Sequence, residues 1–186
     1  MSFLFNKNNH FNLANLVTFS NIIAGILAIY FLTHGEFFGA ALFAWLAGGF
    51  DIIDGKIARK YNLSTEFGVQ LDSYADFLSF VIVPTMFIFF GVIDGKELTE
   101  LNTVFVLFAF AYYIISGLRR LIQFNINTDA GSVSHFVGVP TPLGAILLWV
   151  VFLGWHFELI TSEYIVLGLM VVIGYLLNSK VKIPHL

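Results

Sequence analysis

Long apolar runs alternate with short polar breaks along this chain. A helix needs about 20 predominantly apolar residues to cross a bilayer core, and six windows approach or exceed that length: residues 12–33, 37–59, 67–93, 101–126, 140–159 and 162–178. The pattern predicts an all-α integral membrane protein with six transmembrane helices, and it leaves nothing over for a soluble domain. One membrane-embedded domain over residues 1–186 is the expectation. Three of the breaks, "HGE", "DGKELTE" and "TSE", are short and acidic, as hairpin tips are. The other two, residues 60–66 and 127–139, are longer and fall on the opposite side. The first run is too long for the core of a cleavable signal peptide and carries Asn15, Thr18, Ser20 and Asn21, so it reads as a retained helix. Residues 1–11, "MSFLFNKNNHF", suit either an interfacial segment along the membrane surface or a frayed terminus.

Composition agrees: 58% of the residues are hydrophobic and 11% are charged. The net charge of -3 and the lack of a long basic run give nucleic-acid binding no support. With no cysteine, disulfides, Cys-ligated metals and thiol nucleophiles are excluded. Charge placement sets an orientation, because cytoplasmic flanks retain Lys and Arg. Lys7, Lys56, Arg59, Lys60, Arg119, Arg120, Lys180 and Lys182 fall on one side of a six-span arrangement and Lys96 alone on the other, 8 of the 9 cations. Both termini should therefore face the cytoplasm, from within the cell membrane.

The acids are gathered at one place. Asp51 and Asp54 lie three apart at the end of the second run, and Asp72 and Asp76 lie four apart early in the third. On helices each pair shows both carboxylates on one face, and two such faces opposed would bring four carboxylates together near the cytoplasmic boundary. Intramembrane carboxylates are costly and repel one another, so compensating charge is needed. Arg59 stands five residues past Asp54, which helical geometry places off the carboxylate face. Two divalent cations, Mg2+ or Mn2+, answer better, because they bind carboxylate oxygens and can clamp a phosphoryl group undergoing displacement. Gly55, Ala58 and Gly68 leave the helices bare beside the acids, which would let a diphosphate or a base approach the backbone. Buried structural acids and a proton or cation pathway are the competing readings.

Asp51, Asp54, Gly55, Ala58, Arg59, Gly68, Asp72 and Asp76 fit D-x2-D-G-x2-A-R-x8-G-x3-D-x3-D at every fixed position. In this the chain resembles the CDP-alcohol phosphotransferase family, whose six-helix fold carries the signature across spans two and three. The resemblance implies transfer of a phosphatidyl-type group from a CDP-linked lipid to an alcohol, with release of CMP. It implies that Asp51, Asp54, Asp72 and Asp76 ligate two metal ions per subunit and that Asp76 also takes the acceptor's hydroxyl proton. Gly55, Ala58, Arg59 and Gly68 would line the CDP-lipid site. Asn15 and Thr18 join them, since "NLVTFSNIIAG" is similar to the family's start of the first span, with Ala14 in place of its proline.

Three stretches, "LDSYADFLSFVIVP", "GLRRLIQFN" and "FVGVPTP", resemble the phosphatidylserine synthase branch of that family. This implies L-serine as acceptor and CDP-diacylglycerol or CDP-archaeol as donor. Serine's carboxylate asks for a cation, for which Arg120, aligned with the family's first arginine, is the first choice and Arg119 the second. Ser79 and Asn125 are further candidate contacts, and Gln123 stands where relatives often carry a second arginine. A glycerol 3-phosphate or inositol phosphate acceptor would require more cations than this short cluster offers. A divalent-cation transporter would show repeated halves, and a membrane prenyltransferase would show N-D-x-x-D spacing; the chain has neither. Family members are commonly homodimers, and the small-residue ridge Gly39, Ala40, Ala44, Gly48 suits close helix packing within or between subunits.

Overall fold

The structure, a computed structural model, describes residues 3–129, 136–179 and 182–183. Lys180, counted above among the cytoplasmic cations, lies outside the described residues, as does part of the 127–139 connection. Six long helical elements follow one another: α1 (Leu13–Thr33), α2 (Phe37–Lys60), α3 (Glu66–Ile93), α4 (Glu100–Asp129), α5 (Thr141–His156) and α6 (Glu163–Leu177). The stretches Leu13–Thr33, Phe37–Lys60, Glu66–Ile93 and Asn102–Ile126 are long and apolar enough to cross a membrane, and α5 and α6 are shorter apolar helices. By length and composition, four helices among the described residues are therefore candidates to cross a membrane. The fifth helix stops at His156, where the sequence pattern ran on to residue 159, because Glu158 takes a left-handed φ of 58° and turns the chain. The all-α expectation misses one further feature, a two-residue antiparallel bridge between Phe136–Val137 and Lys182–Ile183.

The chain divides into two compact units, Met1–Ser79 and Phe80–Leu186. In the first, α1 buries Ala14, Asn15, Thr18, Asn21, Ala24, Gly25, Ala28 and Leu32, a single stripe at helical spacing. Small residues on that stripe and Ala40, Ala47 and Ala75 on its neighbours let the backbones approach closely. Gly39 and Ala40 of the small-residue ridge serve packing inside this unit, since a Cβ on Gly39 would lie 2.8 Å from the Phe31 ring. Ala44 and Gly48 stay half-exposed.

Local signals set the ends of these helices around the acids. Asn12 caps α1, accepting the Asn15 N–H at 3.0 Å. Arg59 and Lys60 occupy the last turn of α2, where cations suit the helix dipole. Asn62, with φ 54°, then reverses the chain, and the Leu63 N–H bonds back to the Ala58 carbonyl at 2.9 Å. Thr65 caps α3 by accepting the Gly68 N–H at 3.0 Å. The α3 helix is not uniform: α-helix over Glu66–Asp76 passes into π-helix over Phe77–Ile82, returns to α over Val83–Ile88, and ends as π over Phe89–Ile93.

In the second unit Tyr113, Phe87, Ile88, Leu148, Met170 and Leu177 are fully buried. Gly144 admits Leu177, whose Cδ2 would stand 2.7 Å from an added Cβ. Between α3 and α4, Lys96 Nζ lies 3.4 Å from Glu163 Oε2 and 4.4 Å from the centre of the Trp155 ring, tying two of the acidic hairpin tips together.

Candidate active site

In the first unit, polar side chains from α1, α2, α3 and the turn between the last two line one cavity of about 200 Å³. It is lined from α1 by Ala14, Asn15 and Thr18, from α2 by Asp54, Gly55, Ala58 and Arg59, from the following turn by Leu63 and Ser64, and from α3 by Gly68, Val69 and Asp72. All six residues expected to meet a CDP-lipid are thus on one wall or another of the same space. Arg59 departs from its expected direction. Although five residues from Asp54, its guanidinium folds back over Gly55, with Nη1 3.4 Å from where a Cβ would sit, and so faces the cavity. Helical spacing fixes the Cα–Cβ direction but not the reach of a long side chain. Gly68 is required by closeness, since a Cβ there would lie 3.0 Å from Asn15 Oδ1 and 3.2 Å from Thr65 Oγ1.

Three of the four aspartates form a tight cluster: Asp51, Asp72 and Asp76 each offer a carboxylate oxygen, all within 4.8 Å of one another. Asp54 stands outside this trio. It is buried at 3% exposure, and its Oδ2 accepts a 2.6 Å hydrogen bond from Thr18 Oγ1. Asp54 Oδ1 and Asp76 Oδ1 are sealed from solvent with no hydrogen-bond partner among the described residues. Buried carboxylate oxygens left unpaired carry a large desolvation cost, and a set made only of carboxylates is the donor type hard divalent cations take. The residues therefore fit such an ion.

The side chains expected to meet the acceptor are distributed differently. Ser79 is in the first unit, 5% exposed, and donates to Asn21 Oδ1 at 2.6 Å. Arg119 and Arg120 belong to the second, and only Arg120 is buried, at 7% exposure. Its Nε donates to the Val139 carbonyl at 3.1 Å and its Nη2 to the Gly138 carbonyl at 3.4 Å, which joins the "GLRRLIQFN" and "FVGVPTP" stretches. Asn125 is half-buried on the same helix, and Arg119 is exposed.

Sequence reasoning missed Ala14, Leu63, Ser64 and Val69 as wall residues, and Asn21 as the partner of Ser79. Leu63 and Ser64 follow from Asn62, a residue type that tolerates the left-handed turn bringing them back under α2. For Asn21 a signal existed, since Asn15, Thr18 and Asn21 recur every three residues, but its partner lies 58 residues away.

Comparison with known proteins places these residues in context. The family model described as CDP-alcohol phosphatidyltransferase matches residues 11–176. A CDP-diacylglycerol--serine O-phosphatidyltransferase of Bacillus subtilis is 33% identical over 91% of this chain and 88% of its own length. The enzyme of the same name from Helicobacter pylori is 30% identical over 92% of this chain and 71% of its own. An archaetidylserine synthase of Methanothermobacter thermautotrophicus is 26% identical over 93% of this chain and 70% of its own.

Proposed function

The chain belongs to the CDP-alcohol phosphatidyltransferase family, and from that premise we propose that it is a phosphatidylserine synthase, transferring a phosphatidyl or archaetidyl group from a CDP-linked lipid to the hydroxyl of L-serine with release of CMP. The observation that carries the chemistry is the cavity in which the signature glycines, Arg59, Asp54 and Asp72 meet, with Asp72 also belonging to the carboxylate cluster it forms with Asp51 and Asp76. The names of the relatives, spread over most of this chain, carry the choice of serine.

The residues divide the work by position. Gly55, Ala58 and Gly68 leave room at the backbone for the CDP group, and Arg59 lends its guanidinium to a phosphate. Asn15 and Thr18 close the α1 side, and Thr18 holds Asp54 in place through its hydrogen bond. Asp51, Asp54, Asp72 and Asp76 would hold two Mg2+ or Mn2+ ions, which when bound neutralise the diphosphate and stabilise charge on the phosphoryl oxygens. Asp76 takes the proton of the serine hydroxyl as that oxygen bonds to the lipid-bearing phosphorus, and the bond from this phosphorus to CMP breaks with its electron pair going to CMP. Arg120 recognises the serine carboxylate, assisted by Arg119 and Asn125.

All six helices cross the membrane in this reading, with the N-terminal segment at the interface, and the protein acts as one catalytic domain and as a homodimer. The 8 cations on one side and Lys96 on the other support cytoplasmic termini and a cytoplasmic site. The two readings of the acceptor separate in one assay. Purified protein is given CDP-diacylglycerol or CDP-archaeol, a divalent cation, and L-serine, glycerol 3-phosphate, inositol 1-phosphate or no acceptor. CMP release that depends on serine is expected. Release driven by either phosphorylated alcohol would keep the chemistry and reject the acceptor.

A further inference from the structure

Asn21 belongs to none of the groups assigned above, yet it is fully buried in α1, and its Oδ1 accepts the 2.6 Å bond from Ser79 Oγ. Its amide nitrogen has no partner among the described residues. An apolar residue of similar size would fill this place without a buried, unsatisfied donor, so packing alone does not account for an asparagine. Ser79 lies three residues after Asp76, inside the π-helical stretch Phe77–Ile82 that begins at the next residue. At the junction the Phe77 N–H is shared between the Ser73 and Tyr74 carbonyls, the bifurcated bond common where a regular helix ends. Gly25, one turn beyond Asn21, keeps α1 close to this stretch; a Cβ would lie 3.2 Å from Ser79 Oγ and 3.1 Å from Leu78 Cδ2.

We propose that Asn21, acting through Ser79, is a positioning residue that holds the π-helical turn after Asp76 against α1 and thereby sets the direction of the Asp76 carboxylate. A π turn contains one residue more than an α turn. Reversion to regular helix would rotate the preceding carboxylates by about 100° relative to the segment that follows. The Asn21–Ser79 bond pins the azimuth of the helix just past the junction, so Asp76 points where Asp51 and Asp72 meet it. Ser79 on this account serves Asp76 and is not itself a contact of serine.

The inference rests on the reading of Asp76 as the proton acceptor, and the test separates the two. In the CMP-release assay, Asn21→Ala and Ser79→Ala are each expected to lower kcat about 10- to 100-fold, the range a misplaced catalytic group produces. The KM values for serine and CDP-lipid should stay within about threefold of wild type. The double variant should be no worse than the poorer single, and Ser79→Thr, which keeps the hydroxyl, should restore turnover. Thr85→Ala serves as the structural control: it removes a buried 2.6 Å bond to the Val81 carbonyl in the same long helix and should lower thermal stability while leaving kcat unchanged. Near-normal kcat in the singles, losses that multiply in the double, or a raised serine KM at constant kcat for Ser79→Ala would overturn the inference while leaving the function standing. A wild-type protein that releases no CMP with any acceptor would remove both together.

Discussion

At the scale of residues, the site is a set of carboxylates made tolerable by specific neighbours. Asp54 is satisfied on one oxygen by Thr18, so Thr18→Val should leave a buried carboxylate oxygen without its donor and cost about 1–3 kcal/mol, read as a lowered unfolding temperature in detergent. Asp76→Asn keeps the shape of the cluster but removes the proposed base; kcat should fall about 10²- to 10⁴-fold while CDP-lipid still protects the protein against heat. Gly55→Leu should abolish CDP-lipid binding by filling the cavity, with Mn2+ binding to the carboxylates retained; loss of both would mean that the variant disrupts more than the donor site. The approach of Asp51, Asp72 and Asp76 was legible from the helical spacing of the acids, whereas the standing apart of Asp54, bonded to Thr18, was not. The direction of Arg59 was not, since a long flexible side chain can turn back over a neighbouring glycine and spacing alone does not say whether it will.

At the scale of elements, the helices could be read from apolar runs and their ends from caps, with boundaries shifted by a few residues where a left-handed residue such as Glu158 intervenes. The π-helical stretches in α3 carried no such signal. The contact beside the first of them, Asn21 with Ser79, joins residues far apart in sequence. The turn at Gly138 is of the same kind. Its φ of 92° and the Leu177 carbonyl 2.7 Å from a would-be Cβ both demand glycine, and its own carbonyl accepts from Arg120. Gly138→Ala should therefore destabilise the fold by about 1–3 kcal/mol from backbone strain alone, measured by thermal unfolding, and should weaken serine use if Arg120 is held in place by this turn.

At the scale of the whole molecule, the apolar exterior is what a bilayer would cover: Ile52, Val104, Leu107, Phe108 and Val150 are all more than half exposed. The orientation proposed above rests on the placement of the cations. Because the chain has no cysteine, single reporters are clean: Glu97→Cys should react with a membrane-impermeant thiol reagent in intact cells and Lys7→Cys should not. The reverse pattern would invert the topology. The chemistry and its acceptor stand or fall on product formation. Purified protein supplied with CDP-diacylglycerol, Mg2+ and labelled L-serine should place the label in a solvent-extractable lipid in equal amount to the CMP released, with both lost on chelation and in Asp76→Asn. CMP released without label in lipid, or product formation indifferent to chelation or to Asp76→Asn, would contradict the account.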